Sequence, residues 1–75
     1  MAAVRVRIDL NARDGNGRVP VRMSRADGPM AVGDTVVAYE PDDQVRAPAV
    51  VARIAGGFAY LAVAWEEITD DAVAR

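Results

Sequence analysis

The arginines are the residues of this sequence best suited to recognition chemistry, and they are concentrated near its start. Six of the nine lie within residues 1–25, where only two aspartates oppose them, so this segment carries a charge of +4. Residues 26–75 carry three arginines and nine acidic residues, a charge of −6. A guanidinium group presents a planar fork of donors that suits phosphate and carboxylate groups. The N-terminal third therefore predicts an anion-binding surface, although the acidic remainder opposes general attraction to nucleic acid.

Two alternating segments decide which of these arginines share a surface. Residues 4–10 alternate apolar and polar side chains, and residues 18–24 repeat the alternation. A period of two is typical of a half-buried strand. By parity, the outward side chains that we predict to contact phosphate or an acidic partner are Arg5, Arg7, Arg18 and Arg22. The alternative interpretation is a solvated charged face, which is what such runs usually are.

The turn between these two strands predicts how they pair. Residues 14–17 contain both Asp-Gly and Asn-Gly, which are strong turn signals. We therefore expect an N-terminal hairpin in which Ile8 lies opposite Val19. This register also places Asp9 opposite Arg18, a favourable cross-strand charge pair.

The stretch from Val32 to Trp65 holds most of the apolar residues. It predicts strands over 35–39, 49–54 and 58–65, with a long polar loop over 40–48 and a tight turn at Gly56-Gly57. The side chains that we expect in the core are Val6, Ile8, Val19, Val21, Val36, Ala38, Val50, Ala52, Ile54, Leu61 and Val63, with Trp65 at one end.

The third of these strands is apolar on both of its faces, which predicts a second buried or docking surface. Phe58 and Tyr60 point away from Leu61 and Val63 by parity, and an exposed apolar patch marks an interaction site. The residues that we predict to bind a protein partner or a second copy of the chain are Val37, Val51, Phe58 and Tyr60. An aromatic cage for a methylated cation is the sharper alternative.

The C-terminal residues carry weaker signals. Residues 65–68 predict one helical turn. Residues 69–75 fit either a short helix with Thr69 as its N-cap or a flexible tail.

The pattern of the central strands resembles that of a known family of small barrels. The segments Val32-Gly33-Asp34-Thr35-Val36-Val37, Ala49-Val50-Val51-Ala52-Arg53-Ile54 and Tyr60-Leu61-Ala62-Val63-Ala64-Trp65 are similar to strands of SH3-like barrels, including Tudor and KOW modules. Some KOW modules belong to bacterial transcription factors that contact RNA polymerase. The resemblance implies an all-β, five-stranded SH3-like barrel, here preceded by the N-terminal hairpin. The length of 75 residues predicts that residues 1–75 form one domain.

Composition excludes several functions. The chain has no His and no Cys, so it lacks the usual ligands of structural zinc and the commonest catalytic residues. Residues 14–17 echo part of a calcium loop, but the carboxylates that such a loop needs are missing. We therefore expect a non-enzyme without cofactor, metal or small-molecule substrate.

The remaining sequence-based expectations concern location and origin. No apolar run approaches the roughly 20 residues of a membrane span, so we expect no membrane association and a cytoplasmic location. Arginine without lysine, together with abundant alanine and valine, suggests an actinobacterial or phage genome. The favoured function is a protein-interaction module. The alternatives are a module that contacts nucleic acid or RNA polymerase through arginines, and a structural accessory protein of phage origin.

Overall fold

A computed structural model describes residues 4–9, 15, 17–42 and 44–70. Five strands lie side by side in a curled sheet that forms a half-barrel, in the order β1-β3-β4-β5-β2, and a sixth short strand pairs with β4. The strands are β1 (Arg5–Arg7), β2 (Val19–Arg22), β3 (Thr35–Glu40), β4 (Val45–Ala55), β5 (Phe58–Val63) and β6 (Thr69–Asp70). Single 3₁₀ turns span Met23–Arg25 and Trp65–Glu67. The predicted small all-β fold is confirmed.

Strands β3, β4 and β5 form an antiparallel meander at the centre of the sheet. Gly56 and Gly57 connect β4 to β5 with φ angles of 59° and 81°. Positive φ at both central residues matches the right-handed twist of a hairpin, and only glycine adopts it without steric cost. The predicted Gly-Gly turn is therefore confirmed.

Strand β4 begins earlier than the sequence predicts. The expected loop over 40–48 is shorter, because Val45 already pairs with Glu40 and Pro48 lies opposite Val37. A proline within a central strand removes one ladder donor. Here the position is tolerated because Pro48 lies where β5 has already ended, and its carbonyl oxygen accepts a hydrogen bond from the Ala64 N–H at 2.9 Å.

The predicted N-terminal hairpin is wrong. Strand β1 pairs in parallel with β3, with Val6 beside Ala38, and β2 pairs antiparallel with β5, with Val19 beside Leu61. Ile8 and Val19 are both buried, as expected, but they lie on opposite edge strands of the sheet instead of facing one another. Alternation correctly predicted which face of each strand is buried, but it does not identify the strand with which each one pairs.

The two edge strands approach one another because the sheet is curled. Val6 forms an isolated antiparallel bridge with Ala26, just beyond the 3₁₀ turn that follows β2. The Arg5 N–H donates to an Asp27 carboxylate oxygen at 2.8 Å, and the Arg5 carbonyl accepts from the Asp27 N–H at 2.9 Å. The region between β1 and the β2–Ala26 segment is called the seam below.

The core occupies the concave face of the sheet, and it corrects the predicted orientation of β4. The buried apolar residues are Val6, Ile8, Val19, Val21, Met30, Val36, Ala38, Ala47, Ala49, Val51, Ala59, Leu61 and Val63. Val51 is fully buried, whereas Val50 is 42% exposed. Ile54 lies beyond the register shift between Val51 and Arg53, opposite the buried Ala59, and is 36% exposed near the end of the strand. Both parity sets of β4 are apolar, so composition could not choose between them. Backbone hydrogen bonds from Gly33 to Val51 and from Val51 to Asp34 fix the inward set.

The C-terminal part of the described chain is extended after one helical turn. The predicted turn is confirmed at Trp65–Glu67, and Trp65 packs against the core as expected. The proposed helix cap at Thr69 is wrong, because Thr69 pairs with Arg46 as part of β6. Residues 71–75 lie outside the described residues. Within the described part of the chain, no helix is long and apolar enough to cross a membrane.

Candidate interaction surface

The convex side of the sheet, called the outer face below, collects most of the arginines and aromatic residues. Cross-strand neighbours share a face of a sheet, so the pairing register defines its members. They are Arg5, Arg7, Pro20, Arg22, Val37, Tyr39, Arg46, Pro48, Val50, Arg53, Phe58 and Tyr60. The outer face is therefore a mixed surface of guanidinium groups, rings and small apolar side chains.

Each aromatic ring of the outer face lies beneath an arginine. The guanidinium carbon of Arg5 lies 4.8 Å from the centre of the Tyr39 ring. The corresponding distances are 5.2 Å from Arg22 to Phe58 and 5.3 Å from Arg53 to Tyr60. These separations are within the range of a cation–π interaction.

Direct cross-strand pairing explains two of the three stacks, whereas Arg5 reaches Tyr39 diagonally from its position opposite Val37. Arg22 lies directly opposite Phe58 in the β2–β5 ladder, and Arg53 lies opposite Tyr60 in the β4–β5 ladder. Directly opposed residues have Cβ atoms about 5 Å apart, which brings a long side chain across the neighbouring ring. A register shift between Val51 and Arg53 precedes the second pair.

The structure confirms three of the four positions predicted for the apolar patch and corrects the fourth. Phe58 and Tyr60 do lie on the outer face and are half-buried, as is Val37. Val51 does not belong to this patch, because its side chain is fully buried in the core. Val50, its neighbour in sequence, takes the outward position. The second face of β5 is thus covered in part by arginine side chains of the same chain.

The four predicted anion-contacting arginines do not form one continuous hairpin face. Arg5 lies on β1 and stacks on Tyr39, while Arg18 precedes β2 and is exposed. Arg7 and Arg22 lie on different edge strands, yet the curled sheet brings both into one pocket at the seam. The seam pocket therefore holds two of the four arginines, and Arg5 and Arg18 do not line it.

The seam pocket has a volume of about 210 Å³. Its lining residues are Arg7, Asp9, Pro20, Val21, Arg22, Arg25 and Phe58. Arg7 lies on the β1 side of the seam, whereas Arg22 and Arg25 lie on the β2 side. Both sides therefore contribute positive charge to the pocket.

A second concave region lies on the outer face beside β6. It has a volume of about 240 Å³ and is lined by Val37, Arg46, Ala47, Pro48 and Thr69. The Arg46 Nε–H lies 3.5 Å from the Thr69 hydroxyl oxygen, which links β4 to β6 at its rim. This groove gives Val37 a largely apolar setting.

Glu40, the last residue of β3, has a local structural role. Glu40 is buried, and its carboxylate accepts a hydrogen bond from the Asp42 N–H at 2.6 Å. Asp43 lies outside the described residues. Among the residues that the structure describes, no three potential ligands converge on a metal position.

Sequence reasoning missed the role of Arg53 and understated that of Arg25. Arg53 follows a register shift in β4, so simple alternation from Ala49 did not identify its ring partner. From the sequence, Arg25 is a turn residue after the second alternating segment that could extend the arginine surface. The sequence shows only that arginines and aromatic residues are both present on predicted strands. Which arginine lies beside which ring depends on strand pairing, which the sequence does not show.

Comparisons with protein-family models, with curated proteins and with solved structures yield no match for this chain.

Proposed function

We propose that the protein is a non-enzymatic interaction module that binds an acidic protein partner, or a second copy of itself, through the outer face. The observation that carries this proposal is the set of three arginine–aromatic stacks on one convex surface. Arginine and tyrosine are enriched at the energetically dominant positions of protein interfaces.

The stacks support recognition because they organise the arginines before binding. A guanidinium group that lies flat on a ring keeps the N–H groups at its edge directed outward in a planar fork. Less side-chain freedom is then lost when a carboxylate binds. The half-buried rings of Phe58 and Tyr60 add apolar contact area close to this charge.

Charge complementarity favours an acidic partner. The outer face carries five arginines, Arg5, Arg7, Arg22, Arg46 and Arg53, although the whole chain has a net charge of −2. Such separation of charge orients a partner and raises its association rate. Exposed acids such as Glu66 and Glu67 offer complementary groups on a second copy of the chain.

A nucleic-acid-binding module is the second candidate, and one observation favours it. Surfaces that bind single strands combine basic side chains with rings on which bases stack. The sequence showed no aromatic residue beside the N-terminal arginines, whereas the fold places Tyr39, Phe58 and Tyr60 next to them. The acidic net charge weighs against this candidate, because binding to phosphate backbones is mainly electrostatic.

The resemblance to SH3-like, Tudor and KOW barrels is compatible with either candidate. The structure supports this resemblance only as far as a small all-β fold with a curled sheet. We propose that the fold is an SH3-like barrel. Such a fold does not identify the function, because proteins that share it have many different functions.

One set of titrations tests both candidates. Fluorescence anisotropy would compare a labelled peptide rich in Glu and Leu with a single-stranded oligonucleotide, and sedimentation velocity would measure self-association. The test variant is Arg22→Glu with Arg53→Glu, and the matched control is Arg18→Glu, since Arg18 is exposed and forms none of the three ring stacks.

The proposal expects peptide binding or dimer formation that the double variant weakens at least about tenfold, the value of one lost charged hydrogen bond. Arg18→Glu should have less than about a threefold effect, because rim charges contribute little. Preferential oligonucleotide binding with a steep salt dependence would instead support the second candidate. A strict monomer that binds neither probe would leave a structural accessory role as the better interpretation.

A further inference from the structure

The seam pocket combines concentrated positive charge with a small volume. It measures about 210 Å³, whereas pockets for drug-sized ligands are typically about 300–1,000 Å³. It therefore suits one compact charged group better than a complete organic ligand. Apolar atoms of Pro20, Val21 and Phe58 form part of its wall.

Three arginines reach this pocket from the two sides of the seam. Arg7 belongs to β1, Arg22 belongs to β2, and Arg25 belongs to the 3₁₀ turn that follows β2. Arg7 and Arg25 are both exposed, and within the described part of the chain neither guanidinium group has a hydrogen bond or ion pair. Their N–H donors are thus available to a ligand.

The position of Arg22 is constrained by its neighbour. Its guanidinium carbon lies 5.2 Å from the centre of the Phe58 ring, which also lines the pocket. A cation–π contact does not occupy the N–H donors with a conventional acceptor, so the donors of Arg22 can bind a ligand. Phe58 therefore supports a donor fork at the pocket wall.

The charge of the pocket matches a dianion. Three arginines and the carboxylate of Asp9 give the lining a net charge of +2. A phosphate monoester carries about −1.5 to −2 at neutral pH. A carboxylate or a phosphodiester carries only one negative charge and would leave part of this positive charge uncompensated. Bidentate arginine contacts also suit phosphate oxygens geometrically.

We propose that the seam pocket binds a phosphate monoester group, held between Arg7 on one side and Arg22 and Arg25 on the other. The bound group would join the two edge strands of the half-barrel, beside the hydrogen bonds that already connect Arg5 to Asp27. This inference goes beyond the proposed function, because the pocket can bind phosphate whether or not the outer face docks on a partner.

The direct test is a titration of the full chain with inorganic phosphate at constant ionic strength, followed by NMR of the backbone and arginine side-chain N–H groups. Saturable shifts should be centred on Arg7, Arg22 and Arg25, and the thermal midpoint of unfolding should rise with phosphate concentration. Arg7→Gln and Arg25→Gln should each raise the Kd about tenfold or more, the value of one charged hydrogen bond.

The matched control is Arg53→Gln, which removes an arginine of the outer face that does not line the pocket. Its Kd for phosphate should stay within about twofold of the unsubstituted chain. An equal loss of affinity in Arg53→Gln would overturn the proposal, since it would show diffuse attraction to net charge. Shifts that do not saturate, or unchanged affinity in both Arg7→Gln and Arg25→Gln, would overturn it as well.

Further arms of the same titration distinguish the source of the phosphate. A phosphoserine peptide that binds more tightly than inorganic phosphate would indicate a phosphorylated protein partner. Equal affinity for the ion and the peptide would indicate a free phosphate or a small phosphorylated metabolite. Tighter binding of an unphosphorylated oligonucleotide, which contains only phosphodiesters, would overturn the preference for a monoester.

Discussion

The inner and outer faces of the same sheet are built from opposite residue types. The inner face holds small aliphatic side chains such as Val6, Val36 and Leu61, which are almost completely buried. The outer face holds arginines and the rings of Tyr39 and Tyr60. The comparison indicates that the inner face provides most of the stability and that the outer face is available for recognition.

The placement of the aromatic residues makes this division unusual. Aromatic side chains bury more area than aliphatic ones and commonly dominate a core. Here Phe58 and Tyr60 are instead covered in part by the stems and guanidinium groups of arginines. Long charged side chains can shield apolar surface while keeping their charge in water. The outer face therefore presents rings and charge together without leaving a bare apolar patch.

The largest expected effect of a substitution is on the inner face. Leu61→Ala should lower the free energy of unfolding by about 2–5 kcal/mol, because it leaves a cavity at a fully buried position. A domain of this length has a total stability of roughly 4–11 kcal/mol. Chemical denaturation followed by circular dichroism measures the loss.

Ile54→Ala provides the comparison for this change. Ile54 is 36% exposed, so truncating it should cost clearly less than truncating Leu61. Both side chains lie on the inner side of the sheet, so equal losses would contradict a core that is centred on Leu61 and thins towards the end of β4.

A matched pair of neighbours tests the division between the faces most directly. Val51→Thr buries a hydroxyl group in the core and should cost about 1–3 kcal/mol. Val50→Thr places the same hydroxyl on the outer face and should change stability by less than about 0.5 kcal/mol. Denaturant midpoints of the two variants give the comparison. The reverse order would restore the orientation of β4 that alternation predicted.

The smallest expected effect concerns the stacks of the outer face. A double-mutant cycle with Arg53→Gln and Tyr60→Leu should give a coupling of about 0.5–1 kcal/mol, the usual value of an exposed cation–π contact. The control cycle replaces Arg53→Gln with Arg18→Gln, which should not couple to Tyr60. Zero coupling in the first cycle would mean that the arginine does not organise the outer face.

Local sequence patterns predicted the buried faces of most strands correctly. Alternation placed Val6 and Ile8 of the first segment, and Val19 and Val21 of the second, in the core. These predictions succeed because the side-chain period of a strand is two wherever one face is buried. The glycines between β4 and β5 were equally informative, since a turn with positive φ angles has few alternatives.

The same patterns failed in the middle of β4, where the residues of both faces are small or apolar. In β4, Ala47 and Ala49 face inward while Pro48 and Val50 face outward, and all four are small or apolar. Composition therefore carried no information about its orientation. The candidate site inherited this error, because Val51 was assigned to the outer surface on parity alone.

The sequence by itself determined that the protein is all-β, that its strands have aliphatic inner faces, and that arginines lie on the outward sides of β1 and β2. Only the tertiary structure decided that β1 pairs with β3 and β2 with β5, and that the seam brings Arg7 and Arg25 to one pocket. The physical reason is that alternation is a local property of one strand. The choice of partner strand depends on hydrogen bonds and packing between residues that are distant in the chain.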